Sequence, residues 1–323
     1  MEKEKISFVI PCYRSEHTIE MVVSEVIERY KEREEIYDYE IILVNDASPD
    51  HVWDTIEKLA KGNENITGIA FAKNFGQHAA LLAGYRAATG DYIFSLDDDG
   101  QAPVESIYEM LDKLLEGYDV VYGKYPKIKQ KRFRVIGSYI NNKMAEVLLG
   151  KPKEIEGNSY FVMRRFVADE VVRYKNAYPY IGGLVFRTTK NIANVSVNQR
   201  ERQSGKTGYT LVRLINLWLN GFTAFSIKPL RLVSWMGIGV AILGFAYMIW
   251  ILIQRILRPE TLLGWTSVMA VMLILGGIII FVLGMIGEYI GRIYISLNDA
   301  PQYVIRNSIM THESDKKQEE GND

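Results

Sequence analysis

The stretch Asp91-Tyr92-Ile93-Phe94-Ser95-Leu96-Asp97-Asp98-Asp99-Gly100-Gln101 sets three consecutive carboxylates directly after a short apolar run. Residues 92–96 have the length and composition of a buried strand. Neighbouring carboxylates repel one another and cost stability unless a positive charge lies between them. At the C-terminal end of a parallel strand, a divalent cation carrying phosphates meets that need. The run therefore predicts an α/β sheet whose strand ends receive a phosphorylated ligand.

The chain on either side has the matching periodicity. Residues 6–11 form an apolar run, and in residues 18–31 Ile19, Val22, Val23, Val26, Ile27 and Tyr30 share one helical face. Residues 40–44 read as a second strand, closed by the turn formers Asn45-Asp46-Ala47-Ser48-Pro49-Asp50 before a helix at 52–60. Residues 66–71 are a third strand and 77–89 a third helix, and residues 119–122 add a strand beyond the carboxylates. This is the pattern of an open, mostly parallel sheet covered by helices. Polar groups gather after successive strands: Tyr13 and Glu16, then Asp46, then Lys73 and Asn74, then Asp97 to Gln101. There is no G-x-G-x-x-G after the first strand and no G-x-x-x-x-G-K-[ST] anywhere, which removes support for dinucleotide redox chemistry and for a P-loop NTPase. A net charge of -1 gives no steering toward nucleic acid. The single Cys12 excludes an intrachain disulfide and a cysteine zinc site, and reads as core filling. His78, at a helix start, reads as a structural hydrogen-bonding group rather than a catalytic imidazole.

Two long stretches carry no charge: residues 232–253 and 261–287. As a helix the shorter one spans about 33 Å, enough for a hydrocarbon core of about 30 Å. A transmembrane hairpin with both chain ends on one side is expected. Basic residues flank both ends of the pair almost equally, so the charge bias does not set the side; a nucleotide-dependent domain, if present, would place the chain ends in the cytosol. Residues 124–134 hold Lys124, Lys127, Lys129, Lys131, Arg132 and Arg134, and residues 133–149 continue with apolar residues at helical spacing. Such a segment can rest at the headgroup level beside an anionic phosphate. Residues 210–220 read as a second interfacial helix.

These motifs together resemble the inverting A-type glycosyltransferases of family 2 that load a sugar onto a polyprenyl phosphate, the dolichyl-phosphate mannose synthase-like group. Bacterial undecaprenyl-phosphate sugar transferases with a two-helix membrane hairpin are the nearest likeness. The residues carrying it are Val9-Ile10-Pro11-Cys12-Tyr13, Leu43-Val44-Asn45-Asp46-Ala47-Ser48-Pro49-Asp50, Asn74-Phe75-Gly76-Gln77-His78 and Leu96 to Gln101, then Arg202-Gln203-Ser204-Gly205-Lys206, Lys228-Pro229-Leu230-Arg231 and residues 287–294. The resemblance implies an A-type (Rossmann-like) catalytic domain at 1–209, an amphipathic juxtamembrane segment at 210–231, two transmembrane helices within 232–291 and a cytoplasmic tail at 292–323, disordered toward its end. It implies that Asp46 contacts the base, that Pro11, Tyr13 and Glu16 line the nucleotide pocket, and that Lys124 and Arg202 serve the donor. Asp97 and Asp99 match the D-x-D pair. They and Gln101 are expected to hold Mg²⁺ or Mn²⁺ and to carry catalysis. Arg134 and Ser138, with Arg132, are expected at the acceptor phosphate. Three positions depart from the pattern: Asn45 stands for a frequent Asp, Asp98 for a small residue and Gly100 for a Leu.

The implied reaction is inverting transfer of a single sugar from a nucleotide diphosphate sugar, UDP-linked by preference, to a polyprenyl phosphate at the cytoplasmic face of the inner membrane. The implied partners are the sugar nucleotide, the lipid phosphate, the bilayer and other copies of the chain, with no nucleic acid. A processive polysaccharide synthase is the nearest enzymatic alternative, but its Gln-x-x-Arg-Trp motif is absent. A nucleotide-binding transporter or scaffold component is the non-enzymatic alternative, and it leaves the carboxylates at the strand ends unexplained.

Overall fold

The computed structural model describes residues 3–126, 146, 150–177, 179–198, 228–257, 264–297 and 300–309. The four apolar runs that open the sequence become β1 (Glu4–Cys12), β2 (Tyr37–Asn45), β3 (Ile66–Phe71) and β4 (Tyr92–Ser95), parallel in the order β3-β2-β1-β4. The helices between them are α1 (Ile19–Tyr30), α2 (Val52–Gly62) and α3 (Gln77–Ala87). Alternation along the strands supplies both faces. Ile6, Phe8, Ile10, Ile41 and Leu43 join Ile19, Val22, Val23 and Val26 of α1 and Ile56 of α2 in one buried cluster. Each such side chain contributes about 1.5–3 kcal/mol.

The other face takes α3, whose Ala79, Ala80, Ala83 and Gly84 are all buried. A Cβ at Gly84 would run into the side chain of Val9. Small residues thus let α3 lie close on β1 and β2, which fixes its first turn, Gly76 and Gln77, beside the strand ends.

Beyond α4 (Ile107–Leu115) and β5 (Val120–Lys124), the sheet departs from the parallel repeat. The next strand, β6 (Phe161–Arg164), inserts antiparallel between β4 and β5. It is followed by α5 (Arg165–Val172), α6 (Ile181–Thr188) and β7 (Ile192–Ser196), which pairs parallel to β5. Because β6 runs opposite to both neighbours, β4 and β5 point the same way and their C-terminal ends share one edge.

Residues 212–299 separate from the rest as a second compact unit, and residues from 300 onward rejoin the first. Within the second unit lie α7 (Lys228–Leu257) and α8 (Trp265–Leu297). Among the described residues, one segment is long and apolar enough to cross a membrane: 18 residues of α8, Ile274–Gly291, with mean hydropathy 2.0 and none of it buried. A shorter apolar stretch, Gly237–Tyr247, lies in α7. The chain then forms β8 (Ile305–Ile309), antiparallel on the outer edge of β3, which completes the order β7-β5-β6-β4-β1-β2-β3-β8. Residues 300–309 of the expected tail thus rejoin the catalytic unit. Gln302 anchors them: its Nε2 donates to the carbonyls of Tyr174 (2.7 Å) and Asn176 (2.8 Å), and its Oε1 accepts from Arg86 (2.6 Å). Beside it the Tyr303 ring stacks on Phe71 at 5.1 Å.

Candidate active site

The strand order reverses between β1 and β4, and a ligand crevice belongs beyond the C-terminal ends of such a pair. That edge receives Pro11 and Tyr13 from β1, Asp46 from β2, Asp97 to Gln101 from β4 and Lys124 from β5. Pro11 is buried in the strand, paired with Val44, whereas Tyr13 is 44% exposed. Two non-glycine residues, Arg14 (φ 60°) and Ala47 (φ 48°), take the left-handed conformation in adjoining loops. Such backbone is sparsely populated and persists where surrounding bonds fix it. Here the Arg14 amide donates to Ser48 Oγ at 2.7 Å, and the Ser48 amide donates to Asn45 Oδ1 at 2.9 Å.

Asp46 is 3% exposed, and its carboxylate accepts the amides of Phe75 (2.7 Å) and Gly76 (2.8 Å). Burial raises its carboxyl above the ordinary range, against the pull of those two amides. Gly76 has φ 92°, which lets the chain turn its amide inward before α3. Asp46 therefore holds the loop after β3 closed against β2. Glu16 accepts the His51 amide at 2.8 Å and pairs with His17 at 3.0 Å, so its carboxylate caps the entry to α2. Asn45, where the resemblance expects Asp, spends its side-chain oxygen on the turn at Ser48.

The three carboxylates are not equivalent. Asp97 accepts Gln77 Nε2 at 2.8 Å on one oxygen and the Ser159 hydroxyl on the other. Asp99 accepts the Gln101 amide at 3.1 Å. Asp98 turns instead toward β1 and accepts the Tyr13 amide at 2.8 Å, while its own carbonyl accepts Thr18 Oγ1 at 2.6 Å. Burial pushes the Asp98 carboxyl up to about 6, and the charges of Asp97 and Asp99 add to the rise. Burial, then the same two charges, raises the phenol of Tyr125. Lys124 pairs with Glu156 at 3.2 Å, both about one-third exposed.

Gln77, Ser159 and Tyr125 were not singled out in the sequence. Ser159 could not be, because its place depends on the antiparallel insertion of β6. Ser95 pairs with Phe161, so two steps further Asp97 meets Ser159. A signal for Gln77 did exist in the motif Asn74-Phe75-Gly76-Gln77-His78. His78 itself differs from expectation. Its buried Nδ1 has no hydrogen-bond partner, its ring edge meets Tyr180 at 5.0 Å, and burial lowers its imidazole to about 4. Cys12 is fully buried, as expected. Arg132, Arg134, Ser138 and Arg202 lie outside the described residues, as do residues 210–220 and all of 133–149 except residue 146.

The donor set suits a hard divalent ion, since carboxylate and amide oxygens are what Mg²⁺ or Mn²⁺ prefers. Among the described residues, no group of three or more His, Cys, Asp or Glu is arranged to hold a metal. Asp97, Asp99 and Gln101 are the residues at this edge that could hold such an ion.

Residues 7–172 match the model of glycosyl transferase family 2. The chain belongs to that family. Residues 228–293 match a second model, the GtrB C-terminal hairpin. The chain is 34% identical to the uncharacterized glycosyltransferase YkcC of Bacillus subtilis (strain 168), over 94% of this chain and 93% of that one. It is 30% identical to the undecaprenyl-phosphate 4-deoxy-4-formamido-L-arabinose transferase of Proteus mirabilis (strain HI4320), over 98% and 97%. Among solved structures, glucosyl-3-phosphoglycerate synthase from Mycobacterium tuberculosis, in complex with Mn²⁺ and UDP-glucose, superposes with a TM-score of 0.51 at 18% identity, covering 68% of this chain and 77% of that one. This last likeness establishes the A-type fold. The family resemblance read from the motifs is thus borne out, and the protein is a glycosyltransferase.

Proposed function

We propose that this family 2 glycosyltransferase moves one sugar from a nucleotide diphosphate sugar, UDP-linked by preference, onto a polyprenyl phosphate at the cytoplasmic face of the membrane, with inversion. The observation that carries the reading is the joining, in one chain, of oxygen ligands at the β1/β4 crevice to a hairpin segment apolar enough to enter a bilayer. The Proteus relative named for transfer to undecaprenyl phosphate supports the acceptor, and the fold neighbour holding Mn²⁺ and UDP-glucose supports the donor.

The chemistry asks little proton work of the protein. A phosphate monoester is already anionic near neutral pH, so it needs positioning rather than deprotonation. Attack opposite the leaving diphosphate inverts the anomeric carbon. Asp99 and Gln101, beside an Asp97 held from two sides, would grip Mg²⁺ or Mn²⁺. When bound, that ion neutralises charge on the departing diphosphate. Lys124 and Arg202 would add positive charge on the donor side, and Arg132, Arg134 and Ser138 would receive the acceptor phosphate.

Purified protein in detergent, given undecaprenyl phosphate, Mg²⁺ or Mn²⁺ and a panel of sugar nucleotides, is expected to yield lipid carrying a single sugar. Absence of product with every donor, in a protein shown to be folded, rejects the reading. Asp99→Asn is expected to keep the fold and lose at least about a hundredfold in turnover. Undiminished turnover in that variant removes Asp99 from the mechanism.

A further inference from the structure

Asp98 is the residue whose charge neither the metal reading nor the fold explains. It lies inside a run of carboxylates, yet its side chain leaves that run and reaches across the crevice to the loop after β1. Its Oδ2 accepts the Tyr13 amide at 2.8 Å and its carbonyl accepts Thr18 Oγ1 at 2.6 Å, so side chain and main chain both grip one loop. The next amide, of Arg14, is held from the other side by Ser48 at 2.7 Å, and Ser48 Oγ in turn donates to Asp50 at 2.5 Å. The left-handed Arg14 is therefore strung between β4 on one side and β2 on the other.

The turn that aims Asp98 this way needs its neighbour. Gly100 has φ 71°, and a Cβ there would approach Met21 Cε of α1 to 2.8 Å. Asp98 and Gly100 thus belong to one local geometry. The loop they hold presents Tyr13, 44% exposed, with the Arg14 guanidinium 5.5 Å from its ring centroid. An open aromatic face beside a cation suits a nucleoside with its phosphates.

We propose that Asp98 is a positioning residue for the nucleotide: it braces the Tyr13–Arg14 wall of the donor pocket and takes no part in holding the cation. The inference deepens the proposed function and rests on it for the identity of the ligand. The bracing itself needs no ligand, so the two parts fail separately.

Hydrogen exchange on the ligand-free protein reads the brace directly. Asp98→Ala is expected to speed exchange across residues 13–18 by about tenfold or more, and Asp98→Asn, which keeps an acceptor oxygen, to restore most of the protection. Gly100→Leu is expected to loosen the same segment. UDP titration in the presence of Mn²⁺ reads the consequence: in Asp98→Ala the dissociation constant and the donor KM rise about tenfold, kcat at saturating donor stays within about threefold, and the Mn²⁺ concentration for half-activation does not move. Unchanged exchange in Asp98→Ala overturns the brace. Faster exchange with unchanged UDP affinity overturns its role in donor binding. A fall in kcat with a shifted Mn²⁺ requirement returns Asp98 to the metal. Failure of the wild type to bind any nucleoside diphosphate overturns the donor reading, while the exchange result still stands or falls by itself.

Discussion

Replacing Glu40 with alanine is expected to cost the catalytic unit about 3–5 kcal/mol while sparing the chemistry. Glu40 lies within β2, six residues before Asp46 and so about 20 Å from it along the strand. It is 8% exposed and serves as the hub of a buried polar cluster. Ser7 Oγ donates to it at 2.5 Å, the Thr89 amide at 2.5 Å, the Thr89 hydroxyl at 2.8 Å and the Gly90 amide at 3.2 Å, and Lys5 Nζ lies 3.2 Å away. Burial alone would raise this carboxyl, but the bonds from Ser7 and Thr89 and the charge of Lys5 outweigh it and hold it below the ordinary value. Alanine strands these donors, each at about 1–3 kcal/mol, with partial relief from water entering the gap. Because the folded protein binds this proton less readily than the unfolded chain, the contribution is present above about pH 4.5 and fades as pH falls through the lower folded value. Hydrogen exchange at β1 and β2 provides the assay, with an expected loss of protection of about a hundredfold or more at pH 7. Turnover per folded molecule should remain within about twofold. Unchanged protection refutes the cluster as a stabilising element, and a large specific loss of turnover refutes its separation from the site.

Three further outcomes follow from the same geometry. Gln302→Ala removes three hydrogen bonds from a buried position and should release β8, seen as roughly thirtyfold faster exchange across residues 305–309, with α1 and α4 unaffected. His78 is neutral when folded, so stability should fall as pH drops from about 6.5 toward 4, by roughly 2 kcal/mol at pH 5. His78→Gln should flatten the melting temperature over that range, and an equally steep fall would rule the imidazole out. Ser159→Ala frees one oxygen of Asp97 and should lower kcat about tenfold and raise the Mn²⁺ needed for half-activation, with the melting point nearly unchanged.

The parallel core and the carboxylate edge were legible because a buried strand followed by an amphipathic helix leaves a periodic trace. Residues 6–11, 40–44, 66–71 and 92–96 each have that trace, and each became a strand. Strand direction leaves none: residues 161–164 are a short apolar run that pairs as well one way as the other, and only the sheet order shows that they reverse. Ser159 was hidden for that reason. Asp98 was hidden for another. The strand ends at Ser95, and past that point sequence spacing no longer says which way a side chain points. β8 contains Arg306, Asn307 and Ser308 on an outer edge, a composition indistinguishable from tail.

The return of the chain to β3 makes the hairpin an insertion into the catalytic unit, not an appendage at its end. A soluble enzyme made by stopping before residue 228 would lack β8 and Gln302. Its bare β3 edge would then recruit other copies. A variant that replaces the second unit, residues 212–299, with a flexible glycine-serine linker retains the strand that covers this edge. By that route the catalytic unit becomes accessible to study in water.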